Sequence, residues 1–178
     1  MTQGLSDLSE SSEQVVKTGP ADAGRLGPLL AERAILHHLG FVVASISAVA
    51  DEFALFTSAS WDRQIIYDPV QEVRASFFIA VDGRNPVFEL VEPAGEASQV
   101  SNFLRKNRGG LHHVCYEVDN LESALQEARR VGLVIVSAPA PAVAFGGRRI
   151  AWVCSQNRLL MEFLERGPKL ADAQTLRS

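Results

Sequence analysis

Gly110-Leu111-His112-His113-Val114-Cys115-Tyr116-Glu117-Val118 is an apolar stretch interrupted by two adjacent histidines, and its pattern occurs twice in the chain. The earlier copy is Leu36-His37-His38-Leu39-Gly40-Phe41-Val42-Val43. A second related pair follows: Phe88-Glu89-Leu90-Val91-Glu92 after the first copy, and Met161-Glu162-Phe163-Leu164-Glu165 after the second. Nearly the same number of residues separates His38 from Glu89 as separates His113 from Glu162. Self-similarity of this kind means that one supersecondary unit is used twice.

Working outward, apolar spacing and turn signals predict a strand over 35–43, a helix over 47–57 with Val49, Phe53 and Phe56 on one face, and strands over 61–67, 73–81 and 87–91. Asp51 and Glu52 sit near the helix start, where they suit its dipole. Asp68-Pro69 and Asp82-Gly83-Arg84-Asn85-Pro86 are the intervening breaks. A polar connector with helical character, 97–106, ends at Asn107-Arg108-Gly109-Gly110, and the order of elements then restarts. The second unit has a strand over 111–118, a helix over 121–131 capped by Asn120, and strands over 133–136, 148–153 and 159–164. The fold class expected is α+β: two βαβββ modules, about 34–93 and 111–166, forming a cup-shaped mixed sheet around a shared cavity. Residues 1–33 are expected to be a flexible tail ending in one helical turn, and 167–178 a second tail.

Composition narrows the function classes. A 178-residue chain with 47% hydrophobic and 21% charged residues has material for a real core in one domain of ordinary size. The net charge of −4 and the scattered basic residues provide no stripe for a phosphate backbone, so nucleic acid is not an expected partner. No apolar run reaches the roughly 18 residues of a membrane span, and the N-terminus lacks the apolar core of a signal peptide. A cytoplasmic location is the expectation. Cys115 and Cys154 form no CxxC pair and are expected to be reduced and structural, and Trp61 and Trp152 are expected to pack.

The chemistry sits on the repeated segments. Taken singly, a histidine in an apolar strand is usually a hydrogen-bonded core residue, and a glutamate there usually faces water. Their matched placement in two units points instead to two imidazoles and two carboxylates converging from four strands. Such a mixed nitrogen and oxygen set suits one divalent Zn, Co, Ni, Mn or Fe, whereas Ca and Mg prefer oxygen alone. Regular strand alternation would put His38, Gly40 and Val42 inward with His37 turned away, and His113, Cys115 and Glu117 inward with His112 turned away. Gly40 would then leave space for a substrate.

These four segments resemble the ligand-bearing strands of the glyoxalase/bleomycin-resistance/dioxygenase superfamily, also called vicinal oxygen chelate proteins, over residues 35 to 166. Within it they are most similar to the methylmalonyl-CoA epimerases, and the connector Ser98-Gln99-Val100-Ser101-Asn102-Phe103-Leu104-Arg105-Lys106 with Gly109-Gly110 strengthens that likeness. The resemblance implies metal ligands His38, Glu89, His113 and Glu162, with Glu162 also relaying a proton. It also implies a second catalytic glutamate just before Gln71-Glu72-Val73, where this chain has Pro69 or Val70. By strand parity Asp68 or Glu72 can substitute, and Glu72 is the candidate base. Arg148 and Arg149, after the Gly146-Gly147 loop, are candidate substrate-binding residues.

The function so implied is a metal-dependent epimerase or isomerase that abstracts a proton next to the carbonyl of a small acyl substrate, a CoA or carrier-bound thioester. A glyoxalase-type lyase and a non-catalytic, bleomycin-resistance-like sequestering protein are the alternatives. An extradiol dioxygenase is disfavoured, because Fe(II) oxygenases use two histidines and one carboxylate. A homodimer is the expected assembly.

Overall fold

The computed structural model describes residues 34–80 and 87–167. The expected tails, apart from residue 167, and the turn at 82–86 lie outside the described residues. The first unit consists of β1 (Ile35–Val42), α1 (Ile46–Thr57), β2 (Ala59–Trp61), β3 (Ile66–Asp68), β4 (Val73–Ala80) and β5 (Val87–Pro93). After α2 (Gln99–Asn107) the second unit follows as β6 (Gly110–Val118), α3 (Leu121–Arg130), β7 (Val134–Pro141), β8 (Arg149–Cys154) and β9 (Leu160–Glu165).

The nine strands of the described residues form one mixed sheet in the order β2-β4-β5-β1-β6-β9-β8-β7, with β3 paired to β4 beside β2. Each unit contributes a contiguous half. The first strand of each half runs parallel to its last, β1 to β5 and β6 to β9, and the two first strands meet antiparallel at the seam. The four repeated segments therefore occupy the four central strands.

Helices cover the sheet because their apolar stripes demand it. In α3, Leu121, Ala124, Leu125 and Ala128 recur at helical spacing and pack with Val118, Ala151, Val153 and Phe163. Asn120 caps that helix as expected, accepting from the Ser123 N–H at 2.8 Å. On α1, Ile46, Ala50 and Phe53 pack against Phe78 and Leu90. Asp51 and Glu52 are not in the first turn of α1; the carboxylate that serves its N-terminus is Glu92 of β5, whose Oε2 accepts from the Ile46 N–H at 2.6 Å. Sequence proximity missed a cap delivered through tertiary structure.

Two elements differ from expectation. The single strand expected over 61–67 is two short strands, interrupted where Arg63 takes φ 65°. The strand expected to stop at residue 136 instead continues through Pro139 to Pro141. It can do so because β7 is an edge strand, where a proline's missing N–H leaves no neighbour unpaired. Among the described residues, no helix is long and apolar enough to cross a membrane.

The Glu92 cap is testable by chemical denaturation. Glu92→Ala should lower stability by about 1–2 kcal/mol, and Glu92→Gln, which still offers an oxygen to Ile46, should recover most of it.

Candidate metal centre

The seam between β1 and β6 positions the site. Gly40 lies opposite His113 and His38 opposite Cys115 in the antiparallel pair. In the flanking parallel pairs, Glu89 lies beside Gly40 and Glu162 beside Cys115. His38, Glu89, His113 and Glu162 are all buried, the most exposed of them only 7% accessible. The two Nε2 atoms are 3.1 Å apart. Glu89 Oε2 lies 3.3 Å from both, and Glu162 Oε2 lies 3.2 Å from His38 and 3.8 Å from His113.

These separations fit a shared cation. Donors held about 2.0–2.1 Å from a metal, at right angles to one another, stand about 3 Å apart. Two neutral imidazoles and two carboxylates also balance the charge of a divalent ion in a site that water barely reaches. Without such a cation the cluster must hold a proton. Burial works against a charged His38, but the carboxylates of Glu89 and Glu162 outweigh it and raise the imidazole to about 9. Burial likewise opposes an ionised Glu89, and the two histidines overcome it, holding its carboxyl far below the usual range.

The surroundings repeat with the fold. Phe77, opposite Glu89 on β4, packs edge-on to His38 at 6.0 Å, and Trp152, opposite Glu162 on β8, does the same to His113 at 4.8 Å. Phe145, from a 3-10 turn at Val143–Phe145, stacks on His38 at 5.7 Å. Gly40 does not leave room for substrate, because a Cβ there would meet His113 Cε1 at 2.0 Å. The space a side chain would need is taken by the His113 ring.

Strand alternation fails at both double histidines. In the β1–β6 pairing the register passes from Leu36↔Tyr116 to His38↔Cys115, and from Gly40↔His113 to Phe41↔Leu111, so His37 and His112 are each an extra, bulged residue. Consequently His37 is not turned away from the site: its Nδ1 lies 2.9 Å from that of His38. His112, with its Nδ1 3.2 Å from that of His113, lines the cavity. Burial lowers both flanking histidines, as does the charge of His38 beside His37 and of His113 beside His112, and His112 falls to about 4.

The cavity above the four donors has a volume of about 230 Å³. Glu89, His113 and Glu162 form part of its wall, with Asp68, Gln71 and Gln99 as other polar groups. Asp68 is 3% exposed; its Oδ1 accepts from the N–H groups of Val70 at 2.8 Å and Gln71 at 3.1 Å. Its Oδ2 accepts from Val143 N–H at 3.4 Å, joining the first unit's edge to the second unit's loop.

Glu72 is not brought to this cavity. It is exposed, at φ 52° in the turn before β4, because the chain spends its strand parity in that turn. Neither arginine lines the cavity. Arg149 is held outside by Glu122 at 2.7 Å and Glu165 at 2.9 Å, tying α3 to β9. Arg148 lies behind Phe145, over its ring at 5.7 Å and 3.6 Å from Glu117. Cys115 and Cys154 are both free thiols, and burial, with Glu162 nearby, pushes Cys115 well above the ordinary thiol range.

Two outcomes follow. Gly40→Ala should displace the His113 ring and weaken zinc binding by at least about 10-fold, measured by chelator competition, while thermal unfolding remains cooperative. In metal-free protein the raised His38 contributes stability that is complete below pH 6.5, its unfolded value, and is lost as pH rises toward about 9. Melting temperature against pH should show that fall in the absence of metal and not with saturating zinc.

Residues 37–152 match the family described as the Glyoxalase/Bleomycin resistance protein/Dioxygenase superfamily. The mitochondrial methylmalonyl-CoA epimerase of Dictyostelium discoideum is 26% identical over 157 residues, 84% of this chain and 90% of that one. The human mitochondrial methylmalonyl-CoA epimerase is 30% identical over 96 residues, covering 53% of this chain and 52% of its own. The crystal structure of methylmalonyl-CoA epimerase from Mycobacterium tuberculosis has the same fold, with a TM-score of 0.66 at 24% identity over 77% of this chain and 91% of that one. With more than half of its length inside the family match, the chain belongs to the Glyoxalase/Bleomycin resistance protein/Dioxygenase superfamily.

Proposed function

We propose that the protein is a metal-dependent epimerase that inverts the carbon between a thioester carbonyl and a carboxylate, with a methylmalonyl-CoA-like substrate. The observation that carries this is the four-donor centre in the wall of a cavity that, among the described residues, contains a further buried carboxylate but no lysine or arginine. Among the described residues of the wall, an anionic acyl head meets no cationic side chain that could take the place of the ion. The epimerase names of the relatives in Dictyostelium and human support the same substrate class. A volume near 230 Å³ suits an acyl head, leaving the bulk of a CoA outside.

His38, Glu89, His113 and Glu162 would hold the ion, and the borderline character of the donor set favours Zn, Co, Ni, Mn or Fe. A bound divalent ion supplies Lewis acidity toward the oxygens flanking the acidic carbon. Glu162 takes or returns the proton on one face. Asp68, rather than the solvent-facing Glu72, takes the opposite role, its carboxylate aimed by the Val70, Gln71 and Val143 N–H groups. Phe145 and Trp152 exclude water from the site. The assembly is a homodimer, a reading that rests on the family resemblance; sedimentation should give twice the 19.3 kDa chain mass.

Purified protein should carry one divalent ion per chain, chelation should abolish turnover, and His113→Ala should lose both. In deuterated water, wild type should exchange the α-proton of both substrate epimers and interconvert them. Asp68→Asn, which keeps an oxygen for the turn, should cut interconversion by about 100-fold or more while one epimer still exchanges. Glu72→Gln should behave as wild type. Unimpaired interconversion by Asp68→Asn would remove Asp68 from the mechanism. Turnover of an oxoaldehyde only with added thiol would favour a lyase.

A further inference from the structure

We infer that His37 and His112 are positioning residues, which fix the two ligand histidines by accepting a hydrogen bond from each of their Nδ1 atoms. This rests on the metal reading of the centre and deepens it. Neither residue is a ligand in that reading, and both occupy the same place in the two units.

Backbone comes first. Consecutive residues of a regular strand point to opposite faces, so a double histidine would normally divide its side chains between the two sides. Here each first histidine is the extra residue of a bulge, His37 on β1 and His112 on β6, both in the one antiparallel ladder. Bulges re-aim side chains, and these two set adjacent imidazoles edge to face, with ring centres 5.2 Å apart in the first unit and 5.4 Å in the second.

Chemistry then assigns the atoms. The Nε2 atoms of His38 and His113 face each other and the carboxylates, so Nε2 is the ligating nitrogen and must be free of a proton. In a neutral imidazole the proton then sits on Nδ1 and needs an acceptor. The atom within reach is the Nδ1 of the preceding histidine, at 2.9 Å for His38 and 3.2 Å for His113. To accept, His37 and His112 must carry their own proton on Nε2. Each unit thus fixes two tautomers with one hydrogen bond, in the place where ligand histidines usually lean on a carboxylate or carbonyl.

Packing limits how the outer rings move. His37 lies edge-on to Phe145 at 5.5 Å, and His112 lies edge-on to Phe103 of α2 at 4.7 Å. The outer histidines therefore connect α2 and the Val143–Phe145 turn, both bordering the cavity, to the ligand rings.

The test is zinc affinity by chelator competition on the full chain, comparing wild type with His37→Leu, His112→Leu, His37→Asn and His112→Asn. Leucine fills the space without an acceptor, whereas asparagine places an amide oxygen close to the position of Nδ1. The leucine variants should lose about 10- to 100-fold in affinity and the asparagine variants should recover most of it. Equal affinity of the leucine variants and wild type, or equal losses for leucine and asparagine, would overturn the inference. Should the leucine variants not fold, long-range proton–nitrogen spectra of zinc-loaded wild type decide it. Protons on Nδ1 of His38 and His113 and on Nε2 of His37 and His112 are expected, and any other assignment rejects the role. Failure of wild type itself to bind zinc, cobalt, nickel, manganese or iron would instead reject the metal centre on which this rests.

Discussion

Two imidazole nitrogens 3.1 Å apart, each with carboxylate oxygens of Glu89 and Glu162 within 3.2–3.8 Å, in a site nearly closed to water, are the constraint that the rest of the structure accommodates. Unpaired, such groups are costly to bury. A cation that all four share removes the difficulty, and a proton on His38 removes part of it. The central strands serve this convergence: β1 and β6 each supply a histidine at the seam, and their parallel neighbours β5 and β9 each supply a glutamate. The sheet is a holder for four side chains, with helices packed on it to bury the apolar residues left over.

The two halves match closely around the centre and diverge where chemistry requires it. Phe77 and Trp152 stand over equivalent histidines from equivalent strands. Two residues after His38 and His113, however, the first unit has Gly40 and the second has Cys115. Only the glycine lets the His113 ring lie against the facing backbone. The first unit also carries Asp68, and the second sends Phe145 across onto His38. A site that must treat the two faces of a substrate differently needs such departures from symmetry: Gly40 and Cys115 differ within the central strands β1 and β6, whereas Asp68 and Phe145 come from an edge strand and a turn.

Much of this was legible in the sequence because the segments that carry the four converging side chains repeat. Repetition exposed the two units, and the matched places of His38, Glu89, His113 and Glu162 pointed to one centre. What was not legible depended on breaks in strand period. Parity arguments turned His37 and His112 away, and no local signal distinguishes a bulged double histidine from a regular one. The same reasoning gave Glu72 a place near the site, but a left-handed turn carried it outside while Asp68 stayed within. Arg148 and Arg149 followed a promising glycine loop, yet both were drawn to glutamates of their own unit, which lie far from them in sequence. The cap of α1 by Glu92 escaped notice for the same reason.

Anomalous diffraction from crystals of zinc-loaded protein would show whether the two halves share one cation. A single zinc peak should lie within coordination distance of His38 Nε2, His113 Nε2 and carboxylate oxygens of Glu89 and Glu162. Zinc bound elsewhere, or four side chains in this arrangement with no peak between them at saturating zinc, would mean that the two halves do not share a cation.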